Sequence, residues 1–213
     1  MKPTLREHVI LIHGLAASRR VMRSLQGDLS DHGFAVTNWG YQSIPHSIQR
    51  HADAFSRALR EMNDLPGCTR LHIVGHSMGC IVTRMALHAT QVTKLRHLVM
   101  LAPPNSGSPV AHQLSRWFGW ISPPLRELSD RPGSLVRRLP PPADIAVGII
   151  AASRDRVVPL ENTRLPNQRD HITLPGRHKL LPLRADTAAQ VRYFLRHGVF
   201  APDAVRELGS QPR

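Results

Sequence analysis

Cysteine and long apolar stretches are both scarce in this sequence of 213 residues. The two cysteines, Cys68 and Cys80, are too few for a disulfide framework, so we expect reduced thiols, with Cys80 in a core. Apolar runs such as residues 9–12 are far shorter than the roughly 20 residues that a membrane span needs. Residues 1–8 are polar and do not resemble a signal peptide. We therefore expect a cytoplasmic protein, with export by a dedicated route as the alternative.

Acidic residues are also few. Lys and Arg number 28 against 15 Asp and Glu, which gives a formal net charge of +13, and the arginines are dispersed along the chain. Such a charge is typical of proteins that bind nucleic acid or an anionic membrane, but it also accompanies an arginine-rich proteome. Because no recognisable nucleic-acid-binding motif is present, we expect no specific nucleic-acid partner. Peripheral contact with an anionic membrane stays open as an alternative.

Apolar residues alternate between two spacings along the chain. Near-continuous apolar runs favour buried strands, and stripes repeating every three to four residues favour helices. The predicted strands cover residues 8–12, 34–39, 70–74, 95–101, 145–151 and 171–174, and the predicted helices cover 20–32, 46–62, 77–90 and 184–197. This order predicts one α/β domain over residues 1–213, with a mostly parallel sheet of about six strands and helices on both faces. The tail from about residue 202 is expected to fray.

Residues 103–142 interrupt this alternation. They are rich in Pro, Ser and Gly and separate two predicted strands by about 40 residues, and such long excursions are typically functional or disordered. Within them, apolar residues recur at helical spacing and predict a short helix over 108–121. That stripe consists of Val110, Leu114, Trp117, Phe118 and Ile121.

The most informative motif is Gly75-His76-Ser77-Met78-Gly79, between a predicted strand and a predicted helix. The pattern G-x-S-x-G is typical of a sharp strand-to-helix turn that projects a nucleophilic serine from the sheet. The N–H of Met78, directly after this serine, is a candidate donor to an oxyanion. The alternative is an ordinary turn with a capping serine.

A second signal is the turn His13-Gly14 after the first predicted strand. An oxyanion that develops during acyl transfer needs backbone N–H donors, and a glycine-containing turn beside the nucleophile can supply one. The alternative is a simple turn. We expect His13 to shape the loop rather than to act in catalysis.

A serine hydroxyl is a weak nucleophile at neutral pH and needs a base, which must be chosen among 13 histidines. In open α/β sheets, functional sites lie beyond the carboxyl ends of the strands. His178 follows the strand predicted over 171–174, whereas His171 begins that strand and belongs to the opposite edge. His178 is therefore the predicted base, and an exposed loop histidine is the alternative.

The same rule selects the acid that orients the base. Asp155 follows the strand predicted over 145–151, whereas Asp144 and Asp170 precede strands and Asp186 falls on the last helix. The alternative for Asp155 is a surface carboxylate paired with a flanking arginine. The order Ser77, Asp155, His178 along the chain is the order typical of this kind of catalytic triad.

These motifs give the chain a family resemblance over nearly its whole length. It is similar to the α/β-hydrolase superfamily, and it specifically resembles small bacterial lipase/esterase-like serine hydrolases. The resemblance implies Ser77 as nucleophile, His178 as base, Asp155 as acid, and the N–H groups of Leu15 and Met78 as the oxyanion hole. The matching segments are residues 9–18 (VILIHGLAAS), 74–79 (VGHSMG), 101–108 (LAPPNSGS), 155–159 (DRVVP) and 177–178.

The sequence also departs from the family pattern. It starts at what corresponds to the third strand of the family, and Cys80 stands where many relatives have another glycine. The lid-like segment 103–142 is smaller than the lid of a typical triglyceride lipase. Its apolar stripe, with Trp117 and Phe118, either lines an acyl pocket above Ser77 or packs against the core.

Taken together, the resemblance implies an esterase that acts on a small-molecule or lipid ester through an acyl-enzyme intermediate. The residue spacings do not indicate a metal site, and we expect no metal and no cofactor. A thioesterase or an acyltransferase would use the same triad. A non-catalytic binding module on the same fold is the alternative from another class, because a fold does not determine a function.

Overall fold

Six strands form one sheet in the computed structural model, which describes residues 6–206. Their order in the sheet is β2-β1-β3-β4-β5-β6, and every neighbouring pair is parallel. The expected sheet of about six, mostly parallel strands is thus confirmed, and it is parallel throughout. The strands are β1 (Arg6–Ile12), β2 (Ala35–Trp39), β3 (Cys68–His76), β4 (Leu95–Leu101), β5 (Ala146–Ala152) and β6 (Asp170–Leu174).

Seven α-helices accompany the sheet within the described residues. None of them is both long enough and apolar enough to pass through a lipid bilayer. Short 3₁₀ segments cover Arg19–Met22, Leu160–Thr163 and His178–Leu183. The helices are α1 (Arg23–Asp31), α2 (Ile48–Asp64), α3 (Met78–Ala89), α4 (Pro109–Phe118), α5 (Pro123–Glu127), α6 (Leu135–Arg138) and α7 (Ala185–His197).

The core has two layers because alternate residues of each strand point to opposite faces of the sheet. Ile10 of β1 belongs to the layer that includes Phe55 of α2, whereas Val9 belongs to the layer that includes Phe194 of α7. Both faces are therefore covered by helices, as predicted. Burial on both faces also explains why β1 reads as an unbroken apolar run.

The helix predicted over 108–121 is shorter in the structure, and the surrounding segment holds two further short helices. α4 ends at Phe118 and is followed by Gly119, and the prolines Pro123 and Pro124 begin α5. Proline is favoured in the first turn of a helix, where its missing N–H would have no partner. The glycine and prolines that interrupt the helical pattern of this segment therefore lie at the ends of short helices.

The chain after α7 is only partly described. Up to residue 206 it is anchored, because the Arg206 guanidinium lies 2.7 Å from the Asp170 carboxylate and Phe200 packs in the core beside Phe194. This differs from the expected fraying from residue 202. The remainder of that predicted tail lies outside the described residues. Both cysteines are buried and free, with Cys80 in the core as expected.

Candidate active site

Three side chains that are distant in sequence meet at the carboxyl edge of the sheet. Ser77 follows β3, Asp155 follows β5 and His178 follows β6. The Nε2 atom of His178 lies 2.9 Å from Ser77 Oγ, and its Nδ1 atom lies 2.7 Å from Asp155 Oδ2. The structure thus brings together the predicted nucleophile, base and acid in one hydrogen-bonded chain.

The backbone around Ser77 has the strained geometry expected of a nucleophile turn. Ser77 has φ 53° and ψ −123°, a conformation that side-chain-bearing residues rarely adopt and that costs about 1–3 kcal/mol. Its N–H donates to the carbonyl of Leu101 at 2.9 Å. At Gly79, an added Cβ would lie 2.6 Å from the carbonyl oxygens of Ile12 and His13. The turn therefore requires glycine at residue 79, where α3 passes over the end of β1.

A second histidine, His76, bonds the backbone of His178. The Nε2–H of His76 donates to the backbone carbonyl of His178 at 3.0 Å, and the two rings lie 5.1 Å apart. Burial and the neighbouring His178 ring lower the pKa of His76 to about 3. His76 is therefore neutral at physiological pH. Sequence reasoning missed it, because the motif specifies no residue type at this position.

Asp155 is fixed by its own loop. Its Oδ1 atom accepts hydrogen bonds from the N–H groups of Val157 at 2.8 Å and Val158 at 2.9 Å, which leaves Oδ2 for His178. Burial alone would raise the pKa of this carboxyl, but the hydrogen bonds from His178 and the two amides lower it below its ordinary value. Asp155 is thus ionised at neutral pH, and the side chain it bonds is that of His178 rather than a flanking arginine.

The two predicted oxyanion donors, Met78 and Leu15, belong to segments next to Ser77. Met78 is the first residue of α3, so its N–H has no acceptor within the helix. The turn after β1 approaches from the other side, where a Cβ added to Gly14 would lie 2.9 Å from Ser77 Cβ. Leu15 lies in this turn and lines the cavity above the serine. Both predicted donor residues therefore lie close to Ser77.

His13 lies under that turn and does not reach the hydroxyl chain. Its Nδ1–H donates to the carbonyl of Gly14 at 2.9 Å, and its ring stacks on Tyr41 with centroids 4.4 Å apart. The Tyr41 hydroxyl in turn donates to the carbonyl of His13 at 2.8 Å. His13 therefore holds the shape of the turn, and burial lowers its pKa.

An apolar cavity of about 360 Å³ opens above Ser77. Ser77 and His178 lie at its polar end, and helices α4 and α5, with the residue that follows α5, form part of its apolar wall. Leu125 and Leu128 in this wall were not singled out from the sequence, because α5 is too short to produce a helical stripe. The apolar wall residues from this segment are Val110, Ala111, Leu114, Leu125 and Leu128.

Trp117 and Phe118 do not line this cavity, in contrast to the expectation that they form the substrate pocket. Their side chains are 75% and 51% exposed. Leu114, which does line the cavity, is itself 42% exposed and therefore lies at its mouth. The next turn of α4 is already beyond the mouth, so the apolar stripe leaves the cavity before it reaches Trp117.

Comparison with known proteins identifies a family and several solved structures with a similar fold. Residues 9–210 match the model of the alpha/beta hydrolase family. A search of curated proteins finds no significantly similar sequence.

Several solved structures share this fold at low sequence identity. The mature lipase BlEst2 of Bacillus licheniformis has a TM-score of 0.72 at 15% identity, covering 92% of this chain and 94% of that one. Est1E of Butyrivibrio proteoclasticus has a TM-score of 0.67 at 17% identity, with coverage of 92% and 89%. The metagenomic carboxyl esterase MGS0156 has a TM-score of 0.65 at 18% identity, with coverage of 84% and 66%. The TM-scores indicate a shared fold, and at sequence identities this low the similarity is evidence for the fold alone.

Proposed function

The chain belongs to the alpha/beta hydrolase family, and on this premise we propose that it is a serine hydrolase that cleaves carboxylic esters. The observation that carries the proposal is the hydrogen-bonded chain from Ser77 through His178 to Asp155, placed at the polar end of an apolar cavity. A nucleophile, a base within hydrogen-bond reach and a group that orients the base are the parts that acyl transfer needs.

The first half of the reaction forms an acyl-enzyme. His178 takes the proton of the Ser77 hydroxyl as its oxygen attacks the ester carbonyl. The N–H groups of Leu15 and Met78 stabilise the negative oxygen of the tetrahedral intermediate, and loss of one such donor typically costs about 10²–10³ in rate. His178 then gives its proton to the leaving oxygen. Asp155 stabilises the imidazolium that exists between these two steps.

The second half releases the acid. Water enters where the alcohol left, and His178 removes its proton as it attacks the acyl carbonyl. Collapse of the second tetrahedral intermediate returns the proton to Ser77 and frees the carboxylic acid. The neutral, buried His76 holds the backbone of His178 through both halves, so we assign it a positioning role.

The apolar lining of the cavity suits the acyl group of an ester substrate. Each methylene that leaves water for an apolar wall contributes about 0.8 kcal/mol, which is about fourfold in kcat/KM. We therefore expect kcat/KM to rise by about this factor per added methylene until the chain reaches the mouth at Leu114. A thioester substrate or an alcohol acceptor in place of water would use the same residues.

The test is hydrolysis of p-nitrophenyl esters of increasing acyl length by the unmodified protein and by Ser77→Ala. If the triad acts as a unit, the substitution lowers kcat by about 10⁶-fold. Ser24→Ala, at an exposed position of α1, is the matched control and should change nothing. Turnover that survives Ser77→Ala would refute the proposal.

A fluorophosphonate probe separates the remaining candidates when no ester is turned over. Labelling that is lost in Ser77→Ala would mean an activated serine with a thioester or an acyl acceptor as its partner. Absence of labelling in a folded protein would mean a non-catalytic binding module.

A further inference from the structure

A second concavity, of about 350 Å³, adjoins the apolar cavity at His178. It is formed by the loops that follow β5 and β6, and the two cavities share His178 and the neighbouring Val157 and Lys179. Besides His178, its lining residues are Arg154, Arg156, Val157, Arg177, Lys179 and Leu180.

The charge of this second pocket is of one sign. Its four basic side chains are all exposed, and across residues 6–206 none of them forms an ion pair or a side-chain hydrogen bond with the protein. The carboxylate in these loops, Asp155, is buried and already shared between His178 and two backbone amides. The pocket therefore has a net positive charge that no neighbouring side chain compensates.

The two loops are also tied to each other. The N–H of Ser153 donates to the carbonyl of Leu174 at 2.9 Å, and the N–H of Arg154 donates to the carbonyl of Gly176 at 3.0 Å. These bonds keep Arg154 beside Arg177 on a common support. A pocket supported in this way keeps its basic rim together without a ligand.

The mechanism indicates which part of the substrate this pocket would bind. In the first half-reaction the general acid must reach the leaving oxygen, so the leaving group lies within hydrogen-bond distance of His178 Nε2. With the acyl chain in the apolar cavity, the leaving group extends past His178. The basic pocket is the concavity that adjoins the apolar cavity at His178, and its apolar wall of Val157 and Leu180 suits a short carbon linker.

We propose that this pocket is the leaving-group subsite, and that the substrate is an ester or thioester whose alcohol or thiol carries an anionic group such as a phosphate. This inference rests on the proposed function, since it assumes that His178 protonates the leaving group. Arginine is suited to phosphate because its planar donors match the oxygen geometry. The exposure of the four cations makes the attraction sensitive to salt.

A matched pair of substrates isolates the charge of the leaving group. The butyrate esters of 4-hydroxybenzenesulfonate and 4-hydroxybenzenesulfonamide share the acyl group and the ring, and they differ by one negative charge away from the reacting bond. The readout is the ratio of their kcat/KM values, each divided by the rate of spontaneous hydrolysis by hydroxide. One close attraction in water predicts a preference for the sulfonate of about fivefold at low ionic strength. The preference should approach one at about 0.5 M salt.

Two double variants test where the preference originates. Arg154→Gln with Arg177→Gln should lower the ratio towards one. Arg50→Gln with Arg57→Gln removes the same charge from exposed positions of α2 and should leave the ratio unchanged. A ratio of one in the unmodified protein, or an equal loss in both double variants, would overturn the inference. Circular dichroism and fluorophosphonate labelling verify that each variant is folded.

Direct binding separates this inference from the proposed function. The Ser77→Ala protein should bind free 4-hydroxybenzenesulfonate by calorimetry, and adding Arg154→Gln and Arg177→Gln should weaken that binding by about fivefold or more. If sulfonate binds although no ester is hydrolysed, the esterase proposal fails and the anion subsite stands. If esters are hydrolysed without charge preference or sulfonate binding, the subsite fails and the esterase proposal stands.

Two biological sources of the anion can then be distinguished. Dibutyrylglycerol 3-phosphate is compared with dibutyrylglycerol to represent a lipid headgroup. Butyryl-coenzyme A is compared with S-butyryl-N-acetylcysteamine to represent a soluble phosphorylated thiol. The pair with the larger preference, lost in the Arg154→Gln/Arg177→Gln variant, identifies the source, and no preference in either pair contradicts a phosphate leaving group.

Discussion

The substitution Asp155→Asn removes one charge from the site and changes which nitrogen of His178 carries its proton. In the structure, Asp155 Oδ1 accepts two backbone N–H groups and Oδ2 accepts the Nδ1–H of His178. An asparagine keeps its oxygen on the two amides, because turning it over would place NH₂ against two N–H donors. Its NH₂ group then faces His178 Nδ1 and requires that nitrogen to be an acceptor.

The consequence is at the opposite nitrogen. With Nδ1 unprotonated, neutral His178 carries its proton on Nε2, which would donate to the Ser77 hydroxyl instead of accepting from it. The base is lost although no atom has moved. The same substitution in the serine protease triad lowers kcat by about 10⁴, which is about 5 kcal/mol at 25 °C, and the matching geometry predicts a similar loss here.

The assay is kcat for p-nitrophenyl butyrate across pH 6 to 9, with thermal unfolding of the same samples. We expect the loss of rate at every pH, with a change in stability that is small beside the loss in kcat, because the two amides keep their acceptor. Activity within tenfold of the unmodified protein would refute the assignment of Asp155 as the orienting acid. A large fall in melting temperature would instead mean that the carboxylate acts mainly on the fold of its loop.

Four further substitutions probe the support of the site and the wall of its cavity. Gly79→Ala places a methyl group 2.6 Å from two carbonyl oxygens, so we expect about 3 kcal/mol less stability in urea unfolding and a parallel loss of fluorophosphonate labelling. Arg84→Ala removes a buried guanidinium that bonds the Asn105 side chain at 3.0 Å, and about 3 kcal/mol should be lost, again by urea unfolding. Leu114→Ala should lower kcat/KM for long acyl esters two- to tenfold, which is about 0.4–1.4 kcal/mol, whereas Trp117→Ala should leave soluble esters unaffected; steady-state kinetics on both chain lengths would show this.

The sheet was predictable because each central strand is buried on both faces and therefore has a near-continuous apolar pattern. β4, for example, has the same limits, 95–101, in the prediction and in the structure. Strand ends near polar residues were harder to predict, and β3 extends from Cys68 to His76 rather than over 70–74. Its extra residues pair with neighbouring strands through the backbone, and backbone pairing leaves no apolar signature.

The site residues fell into two classes of predictability. Ser77, Asp155 and His178 could be selected because a parallel sheet places the ends of its strands at one edge, so position along the chain implies position in space. The wall of the apolar cavity could not be assigned in the same way. Helical spacing groups Leu114 with Trp117, but it does not say where along α4 the cavity ends.

The net charge of the chain likewise did not reveal where an anion would bind. A net charge of +13 predicts attraction to anions without saying where, because arginines are dispersed in the sequence. The fold collects Arg154 and Arg177, which are far apart in sequence, onto two cross-bonded loops beside His178. Since the general acid determines the side on which a leaving group departs, that placement turns a diffuse charge into a preference for one end of one substrate. The Arg50→Gln/Arg57→Gln control is therefore needed, because it removes the same net charge from α2, which lines neither cavity.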